Sequence, residues 1–99
     1  MNKIELEKAL QREGLMTVYV GGVEKCYIDG ETLIENGIRQ NEINVFGLYK
    51  GQQNYVVFIT DDEKGLPYYL SRYNSEDDAC DALYEKVTRL KRIHEKGML

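Results

Sequence analysis

The chain has 99 residues, 42% hydrophobic and 30% charged, the balance of a globular domain large enough for one core without metal or disulfide staples. With 17 acidic and 13 basic residues its net charge is −4, which argues against nucleic acid, where affinity comes from neutralising phosphates, and suits a basic protein partner. No apolar run approaches the roughly 20 residues of a membrane span, and the charged start MNKIELEKALQREG has no signal-peptide stretch, so no membrane partner and a cytoplasmic location are expected.

Along the chain, Ile4, Leu6, Ala9 and Leu10, with Leu15 beyond, fit a short amphipathic helix, and Gly14 is placed to end it. MTVYV and VEKCYI then read as two extended runs around the turn Gly21-Gly22, and Asp29-Gly30 marks a further turn. ETLIENGIRQNE, residues 31 to 42, carries a turn signal at Asn36-Gly37 and supports only a short strand or single helical turn followed by a loop. From Ile43 the pattern sharpens. INVFGLYKG, QNYVVFIT and LPYYLSRY are extended runs rich in β-branched and aromatic residues, joined by connections short enough for an antiparallel meander. Pro67, the only proline, stands where a strand begins and a missing N–H is tolerated.

The last element reads as a long helix. Ser75 is a good N-cap, with Asp78 three residues on in capping-box position. Glu76, Asp77 and Asp78 fill the first turn, while Lys86, Arg89, Lys91, Arg92 and Lys96 come later, an order that complements the helix dipole. Ala79, Leu83, Val87 and Leu90, joined by Cys80 and Ile93, form the apolar stripe, and Gly97 closes the helix. The expected fold is a single α+β domain over residues 1–99: an antiparallel meander sheet, a short N-terminal helix, and a long C-terminal helix packed on the sheet.

Chemistry finds little purchase. Asp77, Asp78 and Asp81 share a helical face, but carboxylates at an exposed helix start gain little of the pKa separation that acid–base catalysis needs. Cys26, Cys80 and His94 are too dispersed for a zinc site, and DDEKG lacks the spacing of a calcium loop. Cys80 and His94 on one continuous helix would stand about 21 Å apart along its axis, out of reach of each other. Gly21-Gly22 and Gly47-x-x-x-Gly51 lack the context of a phosphate cradle. The two cysteines, without a Cys-x-x-Cys partner, read as buried thiols in a reducing compartment. No catalytic residue, cofactor or metal is expected.

Tyrosine is the more suggestive component, with eight in the chain and no tryptophan. In QNYVVFIT, Tyr55, Val57 and Ile59 share one face and Val56 and Phe58 the other, the pattern of a central strand covered on both sides. The long helix accounts for one cover and the N-terminal segments are the expected second; otherwise a tyrosine-bearing face is left for a partner.

NYVVFIT, DDEKG, PYYLSRY and NSEDDACDALYEKV together resemble small bacterial immunity proteins of polymorphic-toxin and contact-dependent inhibition systems, over roughly residues 43 to 92. The resemblance implies a cytoplasmic, non-enzymatic protein that binds one cognate toxin, in some cases a basic nuclease domain, and blocks it by surface complementarity. On that reading Asp61, Asp62, Glu63, Asp77, Asp78 and Asp81 supply docking charge, and those of Tyr68, Tyr69 and Tyr73 that face outward supply aromatic anchors. The alternative is a small homo-oligomeric structural or adaptor module, a homodimer for example, that buries the aromatic face and a sheet edge.

Overall fold

Asn2 is the residue that starts the first helix. Its side chain accepts from the Glu5 backbone N–H, and the Glu5 carboxylate accepts from the Asn2 N–H, a complete capping box opening α1, Lys3–Arg12. In the computed structural model, residues 1–15, 17–20, 24–28, 45–60, 63–64 and 67–96 are described, with 17–20, 24–28, 45–46 and 67–70 as backbone only.

Gly14 ends α1 as the sequence suggests, and the geometry is a Schellman motif. Its φ is +67°, the left-handed region that a side chain resists. The Leu15 N–H reaches back to the Leu10 carbonyl at 2.8 Å and the Gly14 N–H to the Gln11 carbonyl at 3.4 Å, which turns the buried Leu15 into the core. Leu6, Ala9 and Leu10 form the buried stripe. Ile4, expected in that stripe, is instead 62% exposed, because two residues before Leu6 places it about 200° around the helix.

Five strands follow: β1 (Thr17–Val20), β2 (Glu24–Ile28), β3 (Val45–Lys50), β4 (Tyr55–Thr60) and β5 (Pro67–Tyr73), side by side in chain order. All five fall within the extended runs of the sequence, and β3–β4–β5 is the expected antiparallel meander. β1 and β2 pair antiparallel, but β2 and β3 run parallel through Tyr27 with Val45 and Ile28 with Phe46. A parallel neighbour requires a crossover of about a dozen residues or more, and residues 29 to 44 separate the two strands. The stretch 31 to 42 and the turns at Gly21-Gly22 and Asp29-Gly30 lie outside the described residues.

β5 carries a bulge. Ser71 pairs with Val57 and Tyr69 with Phe58, so Leu70 is left without a partner across the ladder. Together with Pro67 at its start, the bulge makes β5 a poor template for further pairing at the sheet edge.

α2, Glu76–Glu95, starts at Ser75, whose side chain accepts from the Asp78 N–H at 3.1 Å, and is capped by Lys96; Gly97 lies outside the described residues. Ala79, Cys80, Leu83 and Val87 are buried against Leu48, Val57 and Ile59 of the sheet and Leu6, Leu10 and Leu15 of the N-terminal segment. Burying a leucine in this way stabilises by about 1.5–3 kcal/mol, so this one cluster supplies much of the driving force.

β4 is buried on both faces, as its unbroken apolar run requires. Tyr55, Val57 and Ile59 meet the helices, whereas Val56, Phe58 and Thr60 point the other way and are also buried. On that second face Phe58 lies opposite Gly47 and meets the Tyr49 ring at 5.9 Å with a tilt of 59°. The expectation that the N-terminal segments cover this second face fails for α1, because its leucines join the cluster on the α2 side. An amphipathic stripe dictates burial but not which apolar surface receives it.

Candidate functional site

α1 and α2 lie side by side and run in the same direction. At their N-terminal ends the Lys3 N–H donates to a Glu76 carboxylate oxygen at 3.2 Å, and the Met1 ammonium donates to Asp81 at 2.6 Å. At the other end the Tyr84 hydroxyl donates to the Glu13 carboxylate at 2.6 Å, and the Lys91 ammonium to the Glu13 carbonyl at 2.8 Å. Parallel helices place like ends of their dipoles together, an unfavourable arrangement that charged side chains offset. Glu5, Glu76, Asp77 and Asp78 stand in the two first turns, and Arg12 stands in the last turn of α1 with Lys91 bonded to its C-cap carbonyl.

This arrangement accounts for much of the acidic run that the sequence singled out. Asp81 is exposed, but its carboxylate is engaged by the Met1 ammonium. That hydrogen bond, aided by the charges of Asp81, Asp77 and Glu5 and opposed by burial, raises the pKa of the amine. Glu76 is turned toward α1. Asp77 and Asp78 are the exposed carboxylates of the first turn of α2, held on a capped helix. Glu63 is exposed between β4 and β5, and Asp61 and Asp62 of the same loop lie outside the described residues.

The three tyrosines differ. Tyr73 pairs with Tyr55 across the ladder, and both rings are half-buried against the core cluster. The Tyr73 hydroxyl accepts from Ser71 Oγ at 2.7 Å, which fixes it at the core margin. Tyr68 and Tyr69 pair through their backbones with Ile59 and Phe58, and their side chains are outside the described residues. The geometry therefore brings Asp77, Asp78 and Asp81 together at one end of α2, and it places Glu63 and Tyr73 on other elements.

Cys80 is fully buried and free, and burial first, then the carboxylate of Glu76, pushes its thiol up to about 12. A thiolate nucleophile at neutral pH is thus strongly disfavoured there. α2 is unbroken from Glu76 to Glu95, which separates Cys80 from His94 by about 21 Å along the axis. Among the described residues no group of three or more His, Cys, Asp or Glu is placed to hold a metal ion, and no helix is long and apolar enough to cross a membrane.

The contacts of Glu13, Tyr84 and Lys91 escaped the sequence reading, since pairs separated by 71 and 78 residues leave no local pattern. The Asn2-x-x-Glu5 box also went unread, although its signal is local: Asn followed three residues later by Glu before an apolar stripe. Comparison with protein-family models, with curated proteins and with solved structures finds no match to this chain.

Proposed function

We propose that this protein is an immunity or inhibitor protein that binds a cognate bacterial toxin domain and neutralises it by surface complementarity. The observation that carries this reading is the exposed pair Asp77 and Asp78, fixed by the Ser75 cap at the start of a helix that is itself anchored in the core. A rigid acidic corner on a chain of net charge −4 suits a basic surface such as the substrate groove of a nuclease. The resemblance of residues 43 to 92 to immunity proteins points the same way and rests on those residues alone. Asp81 contributes less than its neighbours, because its carboxylate already serves the α1–α2 contact.

The test pairs this chain with the product of the neighbouring upstream reading frame, which on this reading should end in a variable toxin domain. Co-expression should restore growth, and the two purified proteins should associate at a rate that falls with added salt. The double variant Asp77→Lys, Asp78→Lys should slow association by about tenfold or more at low salt and leave dissociation nearly unchanged. An unaltered association rate refutes acidic docking. Failure to bind that domain, combined with a stable dimer in sedimentation, favours the homo-oligomeric adaptor instead.

A further inference from the structure

We draw no further inference here: the strongest candidate, the cluster of Glu5, Asp77, Asp78 and Asp81 carboxylates at the paired N-terminal ends of α1 and α2, is accounted for by the Met1 ammonium, the two helix dipoles and the docking surface already proposed, and no second observation at it points to a ligand.

Discussion

The Tyr84 hydroxyl donates a 2.6 Å hydrogen bond to the carboxylate of Glu13, tying the C-terminal end of α1 to the middle of α2. The same Glu13 offers its carbonyl to Lys91, so one residue just past the end of α1 receives two donors from the longer helix. The bond to Glu13 is the main cause that raises the Tyr84 pKa, with burial second.

That coupling gives a sign. A phenol whose folded pKa exceeds its unfolded value contributes stability that is fully present below the unfolded pKa, about 10, and is lost as pH rises through the folded one. Ultraviolet titration should therefore show one tyrosine ionising later than the ordinary phenol range. Tyr84→Phe should abolish that late component and flatten the alkaline loss of stability. A titration curve unchanged by Tyr84→Phe would contradict the bond.

Cys80 adds a second alkaline dependence of the same sign. Its thiol stays protonated in the folded chain up to about 12, while the unfolded thiol ionises near about 8.5, so stability should decline as pH climbs between them. In a Cys26→Ala background, native Cys80 should resist thiol reagents at neutral pH and label only as fast as the chain opens. Cys80→Ser should cost about 1–3 kcal/mol more than Cys80→Ala in denaturant melts, because it buries a hydroxyl without a designated partner. Fast labelling of the native protein would show that the thiol is accessible.

Gly14 is sensitive to any side chain. An added Cβ would have open space, with the Lys91 ammonium 3.8 Å away as its near contact, so the cost of Gly14→Ala comes from the +67° φ alone. The expected loss is about 1–2 kcal/mol, and Gly14→Asn should lose less, since Asn tolerates that region. Equal losses for the two, measured by urea unfolding, would assign the effect to sterics instead.

Leu83 and Leu10 meet in one buried cluster, and truncating either to Ala should cost about 2–5 kcal/mol. Because both belong to the same packing, the double variant should cost less than the sum of the two singles. Additive losses would indicate that α1 and α2 are packed independently.

The helix caps form a gentler series. Asn2→Ala and Ser75→Ala should each cost about 1 kcal/mol; Asn2→Ala removes the acceptor for the Glu5 N–H but keeps the backbone donor to the Glu5 carboxylate. Amide exchange in the first turn of α1 should then accelerate while β4 stays protected. Loss of protection throughout the chain would mean that α1 opens only with the whole fold.

How the fold was legible follows from the range of each determinant. β4 was readable because five consecutive apolar residues, Tyr55 to Ile59, are a local pattern, and Gly14 and Ser75 act within one turn of their own helices. The parallel pairing of β2 with β3 was not readable, since it depends on the path between Ile28 and Val45. Nor was the side of the sheet that α1 takes, because Leu6, Ala9 and Leu10 state that they are buried and not against what. The bulge at Leu70 interrupts the strict alternation on which any assignment of outward tyrosines along β5 relies.

For the acidic cluster, type and spacing disclosed the exposed helix start, but not that Asp81 and Glu76 would turn to a segment more than seventy positions earlier in the chain. On the proposed docking reading Asp81 contributes less than its neighbours, because the Met1 ammonium already engages it. Asp77 and Asp78 are the members of that run whose roles the structure leaves to solvent.

Because α1 rests on α2 while the five strands β1 to β5 lie between them in sequence, the ribosome delivers α1 long before the helix that shelters it. A ten-residue helix is marginal alone, so Leu6 and Leu10 must wait in a nascent chain without their eventual neighbours. Until residues 79 to 87 are made, Leu6 and Leu10 lack the α2 side of their cluster, and apolar surface left open in this way favours association between nascent chains.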